Sequence, residues 1–536
     1  MSKNLFATFV VLCLALSGPN LVSLVFGGVG TTRDDMYMKI AEKYIAESRM
    51  SDVRLLVTDA ETGLPIPWSN VEYVQTSHDF VFTADRGTYS DAALQLGRTL
   101  GVEYVEPHFK WREIEPQKGV FDFGKSDDAI GYFVRRYPEA RIWVWIFGIV
   151  PVDQSDYMSD RRFDPPEWSG WQKITTNATA FEGYKADVYD YVYNIVSRYK
   201  SIVHMWMTQN EINYLTRFTL YGNQTIPNAR VGLLSQAVEL DKATALAIRH
   251  ADPDATILLG TSTAQGKSSS KFVDPFDFAK ACLAGGVDFN AVALHVYPWN
   301  SWSPADYYDY FKKFATVGKR VFSHETGYPS SPPFASAPNW EEWKWNDVSE
   351  DAQAKWLNYT LALSFGSSNV MGYGYLQFQD AMTGSAYERE GWGLLRADGT
   401  PKKAYFVYQD AIRRYTSRGN GTTDAYGAFE FRAFAGNYSL NISAEGYQEK
   451  STALHLGEGQ SSNFTVTLVK LKAITTTVAT PATTTTTSAA TPNVPQAPIA
   501  YFAAGGMIVI LVTAVVVARQ RKSKRRQSVS VVSSEF

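Results

Sequence analysis

Two glutamates of this chain each stand at the end of a short apolar run. Glu211 closes the run 203–211, which reads VHMWMTQNE, and Glu325 lies in the run 320–328, which reads RVFSHETGY. Two carboxylates at the ends of different strands suit cleavage of a glycosidic bond, because one protonates the leaving oxygen and the other attacks or activates water. The environment of each carboxylate decides which role it takes. The pattern therefore predicts a glycosidase pair.

Two further side chains accompany these glutamates. Asn210 directly precedes Glu211 and can hydrogen-bond a sugar hydroxyl. His295 ends another apolar run, ALHVYPW, and can either hold Glu325 or be an ordinary buried histidine. The sequence pattern leaves both roles of His295 open.

From residue 80 onward, strand-like runs alternate with helical patterns. The eight pairs are 80–85 with 91–100, 102–111 with 127–137, 141–150 with 184–199, 203–211 with 231–250, 256–262 with 277–284, 290–298 with 304–316, 320–327 with 349–365, and 370–379 with 402–415. Eight is the closing number of a parallel (β/α)8 TIM barrel, and chemistry in that fold sits at the C-terminal ends of the strands. We therefore predict a catalytic barrel over residues 80–416, with both glutamates at its mouth.

Two segments flank the predicted barrel. Residues 30–79 combine one helical pattern with strand patterns, and residues 419–471 alternate polar and apolar positions between glycine turns. The second pattern predicts a small antiparallel β-sandwich. The predicted fold class is thus α/β, a TIM barrel with an additional small antiparallel β-sandwich and a single C-terminal transmembrane helix.

The two ends of the chain predict a cell-surface protein. Residues 1–29 are typical of a secretory signal peptide, although an uncleaved anchor has the same pattern. Residues 499–518 are apolar and uncharged and are followed by a basic tail, 519–536, which is typical of one membrane span with its tail in the cytoplasm. A buried core helix is the alternative for this span. Residues 472–498 are rich in Thr and Pro and predict a stalk, and seven sequons suit an exported chain.

Composition narrows the class of ligand. The net charge is -3, which gives no basic field for nucleic acid, so the expected partners are a polysaccharide and a membrane. The two cysteines and scattered histidines form no metal-ligand motif, so we expect no metal or cofactor. Aromatic residues make up 14% of the chain; most are expected in the core, while a few can stack on sugar rings.

Several motifs together resemble glycoside hydrolase family 10, over about residues 40–415. They are PHFKWREIEPQKGVFDF, MWMTQNEIN, HVYPW, SHETG and GWGLLRADGTPKKAYFVY. The resemblance implies a retaining endo-β-1,4-xylanase-like enzyme with Glu211 as acid/base and Glu325 as nucleophile. It further implies that Asn210 binds the 2-hydroxyl of the cleaved sugar and that His295 supports the nucleophile. Glu106 and Lys110 match the glycone-side sugar binders.

The chain also departs from the family pattern. Trp145-Ile146 stands where the family has Trp-His, Pro107 replaces an asparagine, and Tyr373 stands where an eighth-strand tryptophan is expected. His-Glu-Thr-Gly replaces Thr-Glu-Leu-Asp around Glu325. Trp145, Tyr297 and Tyr373 are retained as substrate-binding candidates, and the departures bear on which sugar is bound.

The segment after the barrel resembles carboxypeptidase-regulatory-like modules through the motif that spans Thr423 to Tyr438. The opening strands of such a module match residues 57–71, before the barrel. One hypothesis is that the two halves pair across the chain, with the barrel inserted between them. The alternative is that the early strands cap the barrel as a separate element.

Three functions remain open from the sequence. The first is a membrane-anchored, extracellular, endo-acting β-glycosidase that cleaves xylan by double displacement. The second is another retaining β-glycanase, such as a β-glucanase or mannanase. The third is a non-catalytic surface protein that binds glycans. Such a protein would not need two glutamates at strand ends.

Overall fold

The structure is a computed structural model that describes residues 32–85, 91–150, 164–215, 229–264, 266, 268, 272–298, 302–331, 347–380 and 391–472. The predicted signal peptide, membrane span and cytoplasmic tail, and all but the first residue of the predicted stalk, lie outside these ranges. Within them, every helix is too short or too polar to cross a bilayer.

Strands and helices alternate through the middle of the chain. The strands are β1 (Met50–Asp59), β2 (Asn70–His78), β3 (Val81–Asp85), β4 (Tyr104–Val105), β5 (His108–Lys110), β6 (Arg141–Phe147), β7 (Val203–Met207), β8 (Thr256–Thr263), β9 (Ala291–Val296), β10 (Arg320–Thr326), β11 (Val370–Leu376), β12 (Arg418–Thr422), β13 (Ala428–Phe434), β14 (Gly436–Ser443), β15 (Lys450–Leu456) and β16 (Ser462–Leu468). The helices are α1 (Arg33–Ser48), α2 (Asp91–Leu100), α3 (Trp111–Ile114), α4 (Gly124–Arg136), α5 (Ala178–Tyr199), α6 (Ala229–Ala251), α7 (Pro275–Ala284), α8 (Pro304–Ala315), α9 (Glu350–Phe365) and α10 (Lys403–Arg414).

Strands β3 to β11 close into a parallel barrel. β3 pairs with both β4 and β11, and the order continues through β10, β9, β8, β7 and β6 back to β4 and β5. β4 and β5 occupy one position in the wall, so the barrel has eight positions. The predicted eight-stranded parallel α/β barrel is confirmed.

Two strand boundaries differ from the prediction in ways that affect the site. The strand predicted over 102–111 is interrupted between β4 and β5, where Glu106 and Pro107 stand, because proline has no N–H to donate to a ladder. The strand predicted over 203–211 ends at Met207, so Glu211 lies four residues beyond β7 rather than at its last position.

Local sequence explains where several helices begin. Asn177 precedes α5 and its side chain accepts a hydrogen bond from the Ala180 N–H. Ser349 accepts from the Ala352 N–H at the start of α9 in the same way. Such caps satisfy amide donors that have no partner within the helix.

Large side chains fill the inside of the barrel. Trp143, Trp145, Met205, Met207 and Phe322 belong to this inner cluster and are at most 3% exposed. A filled interior makes the barrel a packed core rather than a pore, so chemistry is confined to its rim.

The remaining strands form two small sheets that face each other across a shared apolar cluster, which includes Leu55, Leu440 and Leu468. One sheet has the order β13-β1-β16 and the other β12-β2-β14-β15. β1 and β2 precede the barrel, whereas all their partners follow it. β1 is antiparallel to β13 but parallel to β16, so the pairing is not purely antiparallel as predicted. Below, these two sheets are called the two-sheet module.

Arg49 joins the module to the barrel. Its guanidinium donates to the carbonyl oxygens of Phe365, Ser367 and Val370 and pairs with Glu458 at 3.0 Å. Arg49 is 4% exposed, and burial lowers its pKa while the charge of Glu458 opposes that shift. A buried charge of this kind is tolerated because several acceptors surround it.

Candidate active site

Glu211 and Glu325 meet at one histidine. His295 Nδ1 lies 3.2 Å from Glu211 Oε1 and 3.2 Å from Glu325 Oε2. Since both oxygens touch the same nitrogen, they are separated by no more than twice that distance. Glu325 and His295 are almost fully buried, while the Glu211 side chain is 23% exposed. The two carboxylates thus share one rim of the barrel although 114 residues separate them in sequence.

A bulge in β10 gives Glu325 its direction. Pairing of β10 with β9 and with β11 shifts register between Ser323 and Thr326. A bulge re-aims side chains, and here it lets two consecutive residues point inward. His324 packs edge-on against Trp143 of the inner cluster, and Glu325 reaches His295.

Glu211 has an unusual backbone conformation. Its φ is +50°, and left-handed values are uncommon for residues other than glycine. The turn is held on its far side by Asn213, whose side chain donates to Ser262 Oγ and to the Val273 carbonyl. Asn213 Oδ1 also accepts from the Ser262 N–H. Strain of this kind persists where the surroundings determine the backbone, as they do at many active sites.

Neighbouring strand ends are fastened to the same turn. Gln209 Oε1 accepts from the N–H groups of Ile149 and Val150, which follow β6. Thr208 Oγ1 accepts from the Gly260 N–H of β8 at 3.0 Å. β6, β7 and β8 therefore fix the position of Glu211 together.

An aromatic wall stands beside Glu325. The Tyr297 hydroxyl donates to Glu325 Oε2 at 3.0 Å, and the Trp392 ring lies 5.5 Å from the Tyr297 ring in an edge-on arrangement. Gly327 makes this packing possible, since a Cβ there would lie 2.8 Å from the Tyr297 ring and 3.1 Å from Trp392. The wall restrains the carboxylate that we expect to attack.

The loop that carries Trp392 is held by a buried ion pair. Lys402 Nζ lies 2.7 Å from Asp380 Oδ2 and donates to the Gly391 carbonyl. Asp380 Oδ1 accepts from the Gly393 N–H. Burial lowers the pKa of Lys402 and raises the pKa of Asp380, and their mutual attraction opposes both shifts. Removing either partner would leave the other buried and unpaired.

A second polar group lies beside the first. His108 Nε2 is 3.3 Å from Glu106 Oε1, and the His108 ring stacks on Trp145. His324 Nε2 is 3.9 Å from Glu106 Oε2, and its ring is 4.4 Å from that of Trp145. Lys110 is half-buried and ends β5, two residues after His108. This group links Glu106 to the residue that precedes Glu325.

The structure brings most predicted site residues together. Glu211, Glu325, His295 and Tyr297 are joined by the contacts above, and Asn210, 5% exposed, precedes Glu211 in the same turn. Glu106, Lys110 and Trp145 belong to the adjacent group. Trp145 is fully buried among protein side chains.

Tyr373 is not brought to this rim. Its hydroxyl contacts Thr360 Oγ1 of α9 at 3.0 Å, and its ring lies against Tyr408 of α10. The side chain thus points outward to the helices, because successive residues of a strand face opposite sides. The expectation that Tyr373 binds substrate does not fit this position.

Sequence reasoning did not identify Trp392, His108 or His324 as members of the site. Trp392 lies within a motif that carried the family resemblance, so its position after β11 was the available signal. His108 lies between Glu106 and Lys110, both of which had been singled out. No sequence pattern indicates the bulge that turns His324 inward.

The site also contains groups that can bind a metal ion. Donor atoms of His295, His324 and Glu325 lie within 4.8 Å of one another. A metal ion there would bind the carboxylate of Glu325, which is the expected nucleophile. Imidazole and carboxylate donors of this kind suit Zn²⁺.

The geometry suits double displacement. The contacting oxygens of Glu211 and Glu325 are close enough for both carboxylates to reach one sugar ring. One carboxylate can therefore attack a sugar directly while the other transfers a proton.

Comparisons with known proteins find similar chains but identify no single family. No family model matches the chain. A 133-residue segment is 32% identical to β-galactosidase BgaH of Haloferax lucentense, covering 23% of this chain and 19% of that enzyme. Similar solved structures include exo-β-1,4-mannosidase Op5Man5 of Opitutaceae bacterium strain TAV5 (17% identity, TM-score 0.45, 67% of this chain and 61% of that one). Others are GH10 of Paenibacillus barcinonensis (17%, 0.45, 63% and 96%) and GH5_18 of Streptomyces cattleya in complex with GlcNAc (16%, 0.47, 63% and 80%).

Proposed function

We propose that this chain is a retaining glycoside hydrolase that acts within β-1,4-linked polysaccharides. The observation that carries the proposal is the contact of Glu211 and Glu325 with one nitrogen of His295 at the rim of a closed βα barrel. Two carboxylates that both reach one sugar ring support the retaining mechanism, in which the enzyme rather than water attacks the sugar.

The surroundings support one assignment of the two roles. Glu325 accepts a hydrogen bond from the Tyr297 hydroxyl, and this bond favours the negative charge that attack requires. Glu211 is more exposed and stands on a turn, where its carboxyl group can reach a leaving oxygen. Glu325 is therefore the nucleophile and Glu211 the acid/base. His295 contacts both and is a positioning residue for the pair.

The reaction has two steps. Glu325 forms a bond to the anomeric carbon as the glycosidic bond breaks, and Glu211 gives its proton to the departing oxygen. Glu211 then takes a proton from water, whose oxygen attacks the same carbon and releases Glu325 as a carboxylate. The sugar leaves with its original anomeric configuration.

Xylan is the proposed polymer, with β-glucan and mannan as alternatives. The support is the resemblance of the Glu106–Lys110 segment and of the MWMTQNEIN motif to family 10 enzymes. The His-Glu-Thr-Gly segment, which contains His324, departs from that pattern, so β-glucan and mannan are tested beside xylan. Reducing-sugar release from a panel of these polymers separates the substrates.

Glu325→Gln and Glu211→Gln test the roles. We expect each to lower turnover of the polymer by about 10²-fold or more, since a positioned proton donor alone contributes that much. On an aryl glycoside whose leaving group needs no proton, glycosylation should persist in Glu211→Gln and be lost in Glu325→Gln. Glu182→Gln on the outer face of α5 is the control and should retain full turnover.

The proposal fails if Glu325→Gln turns over as wild type. Absence of hydrolysis from the whole panel, with glycan binding intact, would instead identify a non-catalytic surface binder.

We also propose that the enzyme works outside the cell, exported through residues 1–29 and anchored by residues 499–518. The support is the sequence pattern of an apolar stretch followed at once by basic residues. Protease treatment of intact cells should release the barrel while the tail at 519–536 stays protected. Recovery of the chain in a washed cytosolic fraction would contradict this placement.

A further inference from the structure

Trp68 breaks a local rule of backbone chemistry. Its φ is +59°, and it shares positive φ, among the described residues other than glycine, with Glu211. It occupies the second central position of the turn Ile66–Ser69, after Pro67, where a left-handed residue is required and glycine is favoured. Its side chain is 67% exposed, so packing does not offset the backbone strain. A strained residue without a packing role is a candidate for function.

The turn that carries Trp68 is rigid. Thr423, which is fully buried, accepts from the Trp68 N–H through its carbonyl oxygen and from the Ser69 N–H through Oγ1. The Thr423 N–H donates to the Ser69 carbonyl oxygen, and the Thr423 hydroxyl donates to the Ile66 carbonyl oxygen. These bonds hold the indole at the surface rather than letting it fold back onto the module.

A second exposed ring stands on the adjacent turn. Tyr426 is 76% exposed, and its N–H donates to Asp424 Oδ1 within the turn that Gly427 closes. A Cβ on Gly427 would lie 2.9 Å from Pro65 Cβ, so the two turns touch. Leu64, 65% exposed, directly precedes Pro65. Tyr426, Trp68 and Leu64 are the most exposed of the large apolar side chains in the described chain, and we call them the aromatic tip.

We propose that the aromatic tip of the two-sheet module is a carbohydrate-binding site that holds a β-linked polysaccharide through the faces of Trp68 and Tyr426. Pyranose rings present C–H groups, which pack on the electron-rich faces of aromatic rings. A site fixed on rigid turns binds at low entropic cost. This inference rests on the proposed function only for the choice of glycan.

Size and charge argue against other partners. Two aromatic rings and a leucine by themselves bury less than the ≈ 800 Å² per partner of a stable protein interface. The one charged residue of these two turns, Asp424, is acidic and exposed, which disfavours an anionic bilayer. A neutral sugar chain needs no large interface and is not repelled by acidic residues.

Binding of the full chain to insoluble xylan, cellulose and mannan tests the proposal. In a Glu325→Gln background, so that the polymer is not consumed, Trp68→Gly and Tyr426→Ser should each weaken binding to the preferred polymer about tenfold. Trp68→Phe should retain most of the binding because it keeps a ring. Phe406→Ser, which removes an exposed ring of α10, is the matched control and should bind as the parent does.

The fold is monitored by the unfolding midpoint. Trp68→Gly should leave it unchanged or raise it, because glycine adopts positive φ without strain. With Glu325 intact, both tip variants should hydrolyse a soluble aryl glycoside at the parental rate.

Unchanged polymer binding in both tip variants overturns the proposal, as does tip-dependent binding to anionic vesicles or tip-dependent self-association instead of glycan binding. The two proposals can fail separately. Tip-dependent glycan binding without hydrolysis in the parent would refute the proposed function alone, and hydrolysis without tip-dependent binding would refute this inference alone.

Discussion

Asp241 is a carboxyl group buried behind the strand that leads to Glu211. It lies on α6, is 0% exposed, and is close to Thr208, which follows β7. Burial raises its pKa well above the ordinary value of 3.8, and the nearby Thr208 side chain opposes that shift. Burial also raises the pKa of the neighbouring Cys282 of α7. A neutral carboxyl group is therefore the favoured form beneath the site.

This predicts a pH-dependent effect of Asp241→Asn. A folded-state pKa above the unfolded value means that the folded chain binds the extra proton, so Asp241 lowers stability progressively as pH rises above about 4. Asparagine has the same shape and no charge. Its stability advantage over wild type should therefore grow with pH and level off above the folded-state pKa.

Urea unfolding at a series of pH values from about 4.5 to 8 measures this difference. Asp52→Asn, which alters an exposed carboxylate of β1, is the control. A difference between Asp241→Asn and wild type that stays constant with pH, or narrows as pH rises, would contradict the assignment of a buried neutral acid.

At this scale, most of the candidate site could be predicted from residue types. Glu211, Glu325 and His295 were predicted because carboxylates and histidine at strand ends have few packing roles, and the structure places them in contact. Tyr373 was not placed at the rim, because a one-residue change of strand phase sends a side chain to the other face. Sequence does not report that phase.

At the scale of elements, the close approach of β7 and β8 sets the position of Glu211. Gly260 of β8 lies against the chain that leaves β7, and a Cβ there would be 2.5 Å from the Gln209 carbonyl oxygen and 3.0 Å from that of Thr208. Both obstacles are backbone atoms, which cannot turn aside as a flexible side chain would. The turn that carries Glu211 begins at these residues.

Gly260→Ala should therefore displace Glu211 and lower kcat by up to about 10²-fold, the cost of misplacing a catalytic group by about 1 Å. Steady-state kinetics on a soluble aryl glycoside measure the effect. Gly183→Ala on α5, where a Cβ meets nothing within 4 Å, is the control and should keep kcat unchanged. Equal kcat in the two variants would show that this contact does not position Glu211.

Element order was predictable because the period of the apolar pattern alternates between strand and helix along the chain. The helix predicted over 91–100 appears as Asp91–Leu100, and strand β6 begins at the predicted Arg141. The break between β4 and β5 and the bulge in β10 were not predicted. Both depend on how neighbouring strands meet, which is a property of the assembled barrel and not of a local sequence window.

At the scale of the whole molecule, the two-sheet module is built from both sides of the barrel. β1 lies between β13 and β16, and β2 lies between β12 and β14. The central strand of one sheet and an inner strand of the other thus precede the barrel. The chain that connects β1 and β2 to their partner strands contains the whole barrel. The contacts within the module are therefore long-range and costly to form early in folding.

Residues 419–471 produced alone should therefore be unfolded, because β13 and β16 lose the strand between them. Circular dichroism and amide dispersion in NMR spectra report this directly. A fragment that joins residues 49–79 to 415–471 through a flexible linker contains every strand of both sheets and should be folded. A cooperative unfolding transition in 419–471 alone would contradict the shared construction.

Covalent trapping of the enzyme tests the central claim, that Glu325 and Glu211 act together on one sugar ring, most directly. A 2-deoxy-2-fluoro-β-xylobioside with a good leaving group slows release of the sugar from the nucleophile, and mass spectrometry of a digest locates the modified residue. We predict one glycosyl group per chain, attached to Glu325, and none in Glu325→Gln. An adduct on a different residue, or turnover of this glycoside with inverted configuration and no adduct, would contradict the account.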